Sequence, residues 1–563
     1  MVKRNMLIDV HEHGIPSPDE KNKVKCNYCG KEVSGFYRLK CHLGHLRGDV
    51  KPCEQVPSNV KDLMITQLRE NKRRKLAQEA DQSCHTDIPL KMNSSTSAKN
   101  TSKSADLEQI EEYVSKVKDS WAVTGCSIVI DEWEDDKRRR LINFLADSPE
   151  GTIYIGSFDI SSHVGCLGTL QKLLEFVIDN VGLKNVVQII VADTVSWMWP
   201  ATRQIVFKHK HVCWSLGASH YIGLMLDNIG MMEPYREILN MAKTLTEFVH
   251  GHTDVLKMFR SYFHGHDLVA KPYKIRSLMH FFNLTNIVTQ KNNLKSMFAS
   301  TEWTNSDWAS TTQGKWVADL LRDITFWEKT RILLAATAPL VRILVPIDGV
   351  SKLQVGLIYY SIIQAKEQIK KQLGNEAFDY MPFWNVIECV WDQYLYRPLY
   401  GVGYYLNPAL LYTDKMFRDG EVEHGLKSCI FGMFEGRHVQ DLISQQLQMY
   451  EHGEGAFKDG RTLQGLQDAS PVKWWSCYGA QCPELQKLAI RILSQTCDGI
   501  SGFDLKRSLA EELLSRKKTS NPIDFEYLMD ITYVQYNMQL QNTKSKALSD
   551  LYVNTKEVNP MDD

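Results

Sequence analysis

The spacing of apolar residues changes several times along the chain, and each change predicts a different kind of element. Between residues 124 and 192 the apolar residues come in short runs separated by turn-forming or charged residues, and these runs predict three antiparallel strands at 127–130, 141–145 and 151–156. Helical spacing follows at 167–181. A continuous apolar run at 186–192 is typical of a strand buried on both faces. The predicted order is three strands, a helix and a fourth strand.

Beyond these strands the apolar residues keep helical spacing from about residue 224 to residue 373, which predicts an all-helical region. Its most apolar stretch, 332–347, contains Arg342 and Pro346 and is too short to cross a bilayer. We therefore expect a buried core helix there and no membrane segment.

A glycine-rich, acidic stretch at 451–465 interrupts the helical pattern, which resumes at Pro483. Proline suits the first turn of a helix because its missing N–H is not needed there. The residues that follow form an apolar stripe at helical spacing, made of Leu485, Leu488, Ala489 and Ile492. The spacing fits an internal core helix, and it also fits a surface that pairs two subunits.

The N-terminal part is different, because its apolar residues are few and its charge is positive. Helical spacing after Pro57 predicts one amphipathic helix within 58–80. The helix runs into a basic cluster made of Lys72, Arg73, Arg74 and Lys75. Such a cluster is a candidate nuclear-import signal or phosphate-binding site, and it also suits a solvated helix end. Residues 81–105 are rich in Ser, Thr, Asn and Lys and predict a flexible linker.

Length and composition place most of the chain among packed globular proteins, since 563 residues with 43% hydrophobic and 10% aromatic content suffice for several domains. The overall net charge is −1, but residues 1–80 contain 16 Lys and Arg against 10 Asp and Glu. This segment therefore carries +6 and the remainder −7. The basic segment is the one expected to face a polyanion, because phosphate neutralisation supplies most non-specific affinity for nucleic acid.

Two cysteines and a histidine within the basic segment have the spacing of metal ligands. Cys26 and Cys29 are two residues apart, and His42 follows on a short basic stretch that predicts a helix. This pattern predicts a finger with one tetrahedral zinc ion. The fourth ligand is open between His45, whose spacing from His42 is slightly the more usual, and Cys53, which follows a longer loop.

Two aspartates stand where predicted strands end, Asp131 after the first and Asp193 after the fourth. In a sheet of the ribonuclease-H type these strand ends are neighbours. Paired carboxylates at adjacent strand ends suit two-metal phosphoryl chemistry. The same residues are also ordinary turn formers, and spacing alone does not separate the two interpretations.

Several of these motifs resemble plant hAT-transposase-like proteins. Residues 23–57 resemble their BED-type finger, 124–133 and 186–193 resemble the acidic strands of their DUF659-type core, and 474–497 resembles the hAT C-terminal dimerisation region. The resemblance favours Cys53 over His45 as the fourth ligand, and it implies that Arg38, Lys40, Arg47 and Lys51 contact double-stranded DNA. It aligns Asp504 with the third acid of the family.

The resemblance implies a multidomain α+β protein with a small BED zinc finger, a ribonuclease-H-like α/β core split by a large all-helical insertion, and a helical C-terminal dimerisation region. The domain boundaries that follow are a finger at 1–57, a basic helix at 58–80, a linker at 81–105, a core at 106–230, an insertion at 231–465, a dimerisation region at 466–540 and a flexible tail at 541–563.

The chain departs from the family pattern around its acids. The family has amides after the second acid, but this chain has Thr194 to Trp197, and the family cysteine before His220 is Gly217. Asp504 replaces a family Glu and is one methylene shorter. The shorter side chain would displace the carboxylate, and metal sites tolerate a displaced ligand poorly. These departures predict that the acids Asp131, Asp193 and Asp504 are vestigial.

The predicted function is therefore a nuclear, zinc-dependent DNA-binding protein, derived from a hAT transposase, that regulates rather than transposes. It pairs as a homodimer or heterodimer through its C-terminal region and uses no small-molecule substrate. One alternative is an active transposase that would need Mg²⁺ at the three acids. Another is a protein-interaction scaffold, favoured by the near-neutral total charge.

Overall fold

A computed structural model describes residues 13–16, 23–44, 50–57, 60, 61, 64, 105–134, 137–163, 166–191, 198–263, 268–269, 276–348, 354–413, 420–459, 466, 469–497 and 530–542. Lys72 to Lys75, His45, Arg47, Asp193 and Asp504 lie outside these ranges, as do almost all of the predicted linker and tail. The finger and the larger α/β body form separate compact units, and each is described by itself. The predicted multidomain α+β class is confirmed.

The finger consists of a small antiparallel sheet and one helix. Strands β1 (Gly14–Pro16), β2 (Lys23–Cys26) and β3 (Glu32–Ser34) pair in the order β1-β2-β3, and helix α1 (Gly35–Leu43) follows at once. Leu39 on α1 and Val24 on β2 are buried in the shared core. A Cβ at Gly14 would lie 2.4 Å from Leu39 Cδ2, so β1 approaches α1 as closely as a glycine allows.

The α/β body is built on a five-stranded mixed sheet. Its strands are β4 (Cys126–Glu134), β5 (Arg140–Ser148), β6 (Gly151–Asp159), β7 (Val186–Val191) and β8 (Cys213–Leu216), in the order β6-β5-β4-β7-β8. The first three form the predicted antiparallel meander, and β7 and β8 add in parallel beside β4. Strand β4 pairs with β7, which confirms the prediction that the first and fourth strands are neighbours.

Four helices connect or flank these strands: α2 (Ala105–Thr124), α3 (Leu167–Val181), α4 (Met198–Lys208) and α5 (Ala218–Gly230). Helix α3 occupies the residues predicted for it. The turn from α2 into β4 passes through Gly125 at φ +65°, and a Cβ there would lie 2.3 Å from Val187 Cγ2. A side chain at this turn would therefore meet both backbone strain and a clash.

The predicted all-helical region is confirmed. Its helices are α6 (Tyr235–Gly251), α7 (Thr253–Tyr262), α8 (Arg276–Thr289), α9 (Lys291–Ala299), α10 (Thr301–Thr304), α11 (Asp307–Ser310), α12 (Thr312–Arg322), α13 (Ile324–Asp348), α14 (Val355–Gln372), α15 (Ala377–Val390), α16 (Pro398–Tyr405), α17 (Pro408–Thr413), α18 (Gly420–Met433) and α19 (Arg437–Glu451). The apolar stretch 332–347 lies in α13, where Leu333, Leu340 and Leu344 are buried. Among the described residues, every helix is too short or too polar to cross a membrane.

The C-terminal part adds α20 (Pro471–Tyr478), α21 (Pro483–Leu493) and the helix at 530–542, which we call α22. Tyr536 and Leu540 of α22 are buried against the sheet. The Asn537 side chain accepts a hydrogen bond from Tyr154 N at 3.0 Å and donates one to Tyr154 O at 3.5 Å. The amide thus forms hydrogen bonds with the backbone of the edge strand β6. Backbone groups at an open sheet edge otherwise have no partner strand.

Candidate metal centre and acidic sheet edge

Three thiols and one imidazole converge in the finger. Among the described residues, Cys26, Cys29, His42 and Cys53 form a group whose ligand atoms all lie within 4.8 Å of one another. The first two stand on a tight turn, in which Gly30 N donates to Cys26 O at 2.9 Å. Gly30 adopts φ +71°, a left-handed conformation that glycine accepts without strain. Cys53 is brought in by its own backbone, because its N–H donates to His42 O at 2.9 Å.

The orientation of His42 suits a metal ligand. Its Nδ1 lies 2.5 Å from Lys51 O. A carbonyl oxygen only accepts, so Nδ1 carries the proton and Nε2 keeps its lone pair. That Nε2 lies 3.1 Å from Cys29 Sγ. A backbone acceptor behind the distal nitrogen is the usual means of fixing the tautomer of a metal-bound histidine.

The spacing of the sulfur atoms fits zinc. Zinc–sulfur bonds of about 2.3 Å in a tetrahedron place two sulfurs about 3.8 Å apart. Cys26 Sγ and Cys53 Sγ are 3.9 Å apart. The donor set, three soft thiols and an imidazole without a carboxylate, is also the set that structural zinc sites use.

The thiols of the cluster differ in acidity. Burial raises the pKa of the Cys53 thiol to about 12, and the neighbouring Cys29 and Cys26 thiols add to the increase. Burial also acts to raise the pKa of Cys29, but hydrogen bonds from the backbone of Lys31 and from the other thiols lower it overall. The cluster therefore holds protons that a divalent cation must displace when it binds.

The basic residues predicted to contact DNA are only partly described. Arg38 and Lys51 are exposed, and Lys40 is half-buried on the last turn of α1. His13 was not predicted as a site residue, and its Nδ1 lies 2.7 Å from the hydroxyl of Tyr28 in the metal-binding turn. No spacing rule connects these two residues, so the sequence carried no signal for the contact.

Asp131 occupies a different position from the predicted one. Strand β4 continues to Glu134, so Asp131 lies inside the strand opposite Asn143 and not at its end. Among the described residues the last parallel pair of β4 with β7 is Ile130 with Val191, directly before Asp131. The strand continues because the next residue, Glu132, is also buried and accepts a hydrogen bond from Arg140 Nε at 2.7 Å.

The residues that follow β8 lie beside the end of β7. Gly217 N donates to Val191 O at 3.1 Å, and Ala218 N donates to Cys497 O at 2.9 Å. His220 is exposed and contacts the ring of Tyr221. Of the three predicted acids the structure thus describes only Asp131, which is 4% exposed.

The apolar stripe of α21 belongs to the core of the chain itself. Its four side chains, Leu485, Leu488, Ala489 and Ile492, are each 0% exposed in the single chain. The interpretation of this stripe as a surface for a second subunit is therefore wrong. Helix α21 packs on α2, α14, α16, α19 and α20, which together cover its apolar face.

The segment after α21 is tied to the sheet by a buried polar network. Ser127 Oγ on β4 donates to Gln495 Oε1 at 2.8 Å, and Gln495 Nε2 donates to Thr124 O at 2.9 Å. Gln188 on β7 donates to Ser127 Oγ at 2.9 Å and also to Thr496 O. Residues 494–497 therefore hold the C-terminal part against the first and fourth strands of the core.

The fold and the Cys₃His cluster define a multidomain protein with a zinc-finger-type metal centre and a mixed α/β core. Comparison with known families matches residues 18–67 to the BED-like zinc finger, residues 94–245 to a domain of unknown function called DUF659, and residues 455–528 to the hAT family C-terminal dimerisation region. No curated protein matches the chain. These three matches support an hAT-family transposase-like protein, and the matched finger and dimerisation region support DNA binding.

Proposed function

We propose that this protein is a nuclear, zinc-dependent DNA-binding regulator that no longer catalyses transposition. The observation that supports it most is the Cys₃His cluster of a BED-like finger, in which Cys26, Cys29, His42 and Cys53 would hold one zinc ion. The helix α1 that follows carries Arg38 and Lys40. A finger with a basic helix and an overall charge of +6 over residues 1–80 suits a phosphate backbone.

Zinc would act in this protein as a structural ion. Three thiols and an imidazole fill a tetrahedral site, so no position is left open for a reacting water. The ion would fix the turn at Cys29, the end of α1 and the loop at Cys53 in one arrangement. DNA would then be bound by the basic side chains on this frame, Arg38, Lys40, Arg47 and Lys51.

The proposal that strand transfer is lost rests on the surroundings of the acids. Two-metal catalysis needs fixed carboxylates that hold two ions about 3.5–4 Å apart. Asp131 is almost fully buried inside β4. In the sequence, Trp197 replaces a small amide near Asp193, and Asp504 is shorter than the family Glu. Loss of groups that orient metal ligands typically costs about tenfold to a hundredfold each.

The regulatory function is tested by selecting bound sequences from random duplex DNA with the purified protein and repeating the selection with Cys53→Ser. Enrichment of one sequence by the natural protein alone is expected. Failure of the natural protein to enrich any sequence would favour the scaffold alternative.

The active-transposase alternative has its own assay. Strand cleavage is measured on duplexes carrying candidate terminal repeats, with Mg²⁺ or Mn²⁺, for the natural protein and for Asp131→Asn. We expect no cleavage by either protein. Cleavage that the Asp131→Asn substitution abolishes would show that the acids act as a metal site.

Self-association through the C-terminal region is part of the proposal. The match at 455–528 favours it, but the stripe on α21 is already buried, so an interface would use other side chains of the region. A dimer would present two fingers and raise DNA affinity through effective concentration.

A further inference from the structure

A groove crosses the helical region between α8, α9, α13, α14 and α15. It consists of two adjoining cavities of about 460 Å³ and 800 Å³, which share Arg331 and Gln372 in their walls. The smaller cavity is bounded by α9 and the first half of α13, and the larger one by the end of α14 and the start of α15.

The smaller cavity carries an excess of positive charge. Lys291, Lys295 and Arg331 line it against one carboxylate, that of Glu328. The Lys291 and Lys295 ammonium groups lie 4.7 Å and 5.7 Å from the ring centroid of Trp327. Within the described part of the chain none of the three cations forms an ion pair. Two like charges over one ring repel each other, so an anion between them would relieve an unfavourable arrangement.

The ring of Trp327 is a fixed wall of this cavity. Its Nε1 donates to Leu321 O at 2.9 Å, and the side chain is 7% exposed. The indole therefore does not turn outward to stack on a ligand. Its accessible face attracts the two ammonium groups through the ring quadrupole. The lysines are thus held near the cavity mouth before any ligand arrives.

Large apolar side chains stand exposed along the same groove. Ile324 is 72% exposed in the smaller cavity, and Phe378 and Met381 are 91% and 38% exposed in the larger one. Single exposed apolar residues are ordinary on a protein surface, but several along one groove mark an interaction site.

We propose that this groove binds a segment of a partner protein in which acidic side chains adjoin apolar ones. The carboxylates would lie between Lys291, Lys295 and Arg331, and the apolar side chains would cover Ile324 and Phe378. An amphipathic segment laid into an apolar groove is an established mode of peptide recognition.

Charge and chemistry favour such a segment over nucleic acid. Carboxylates occur along the whole groove, with Glu328 in the smaller cavity and Glu233 and Asp379 in the larger one. Glu233 pairs with Arg236, but a continuous phosphate backbone would still meet repulsion at Glu328 and Asp379. The apolar walls would also gain nothing from phosphate or sugar, whereas they would remove an apolar side chain from water.

The test uses the full-length protein and a displayed library of random 12-residue peptides. Peptides are selected on the natural protein, and the enriched pool is depleted on a Lys291→Gln, Lys295→Gln variant. We expect the surviving sequences to carry Glu or Asp next to Leu, Ile or Phe. The best peptide and its Glu→Gln counterpart are then labelled with fluorescein and their binding is measured by anisotropy.

Matched variants show whether a loss of peptide binding is specific to the groove. Exposed charge pairs contribute modestly, so loss of both lysines should weaken peptide binding roughly fivefold. Phe378→Ser should also weaken it without changing the melting temperature, because this side chain is almost fully exposed. Lys427→Gln, an exposed lysine on α18, is the control and should leave binding unchanged.

The proposal is overturned if no peptide is enriched, if enriched peptides bind equally well after Glu→Gln, or if both groove variants bind as the natural protein does. It is also overturned if a random-sequence duplex displaces the peptide and the two-lysine variant loses duplex affinity to the same extent, because the surface would then serve nucleic acid.

Discussion

The finger and the junction at residues 494–497 are held together by opposite means. In the finger the ligand atoms of Cys26, Cys29, His42 and Cys53 lie within 4.8 Å of one another around a small apolar core. At the junction, amide and hydroxyl groups of Ser127, Gln188 and Gln495 satisfy one another inside a large core. The first arrangement needs an added ion, whereas the second is complete in the polypeptide alone.

This difference has a consequence for stability. A small domain with little apolar area cannot offset the conformational entropy of folding, so metal binding supplies its folding free energy. The body buries the apolar side chains of α21 within its own core. We therefore expect the two regions to respond independently to chelation and to core mutation.

Removal of a zinc ligand should change the finger more strongly than any other substitution considered below. Cys53→Ser removes one thiolate of the zinc site, so the zinc content should fall well below one ion per chain and DNA binding should be lost. Structural zinc sites contribute about 10–16 kcal/mol of apparent binding free energy, which a three-ligand site does not retain. Metal analysis and gel-shift titration measure the change, while the melting temperature of the body should stay constant.

The matched variant is His45→Ala, which changes the other candidate ligand. Zinc and DNA binding should both be retained in it. Retained zinc in Cys53→Ser together with lost zinc in His45→Ala would show that the fourth ligand is His45.

The next effect concerns the stripe on α21. Leu488→Ala creates a cavity in a fully buried site, and such changes cost about 2–5 kcal/mol of unfolding free energy. The oligomeric state should not change, because the side chain contacts its own chain. Urea unfolding and sedimentation of the same sample test both statements. Lys487→Ala, on the exposed side of the same helix, is the control. Dissociation of a dimer by Leu488→Ala, without loss of stability, would contradict the intramolecular burial.

A smaller loss is expected for the polar network. Gln495→Ala removes the acceptor of the Ser127 hydroxyl proton and the side-chain donor to Thr124 O, and an unsatisfied buried polar group costs about 1–3 kcal/mol. We expect a loss of about 2 kcal/mol in the unfolding free energy of the body, with zinc content unchanged. Gln445→Ala, an exposed glutamine on α19, should be neutral. An unchanged midpoint in urea for Gln495→Ala would mean that the network contributes no net stability.

The finger could be predicted well from the sequence because its metal ligands lie close together in the chain. The zinc ligands fall within 28 residues, from Cys26 to Cys53, and each type of residue is chemically distinctive. The strand order of the core was also predictable, since buried parallel strands read as continuous apolar runs. The end of β4 was predicted too early because Asp131 and Glu132 look like turn residues. The pairing with Arg140 offsets the cost of burying the Glu132 carboxylate, and the sequence pattern does not show this pairing.

The role of residues 485–497 was not predictable in the same way. A helical stripe fits an internal core as well as a subunit interface, and only the packing partners decide between them. Gln495 and Ser127 are 368 residues apart, so no spacing rule connects them. The part of the C-terminal region that most resembles the dimerisation region is thus the part that closes the core of one chain.

A modest loss of DNA affinity is expected when the basic side chains of α1 are neutralised. Arg38→Gln and Lys40→Gln each remove one positive charge from α1 without touching a zinc ligand, so zinc content and melting behaviour should be unchanged. Each lost phosphate contact lowers the slope of log affinity against log salt by about 0.9. Duplex affinity should fall a few-fold at moderate salt, and the preferred sequence should stay the same if these side chains contact only phosphates.

The control is Lys243→Gln on α6, an exposed lysine outside the finger, which should leave the slope unaltered. A slope unchanged by both finger variants would mean that other residues of the basic segment contact the phosphates, whereas an altered sequence preference would mean that Arg38 or Lys40 contacts base edges.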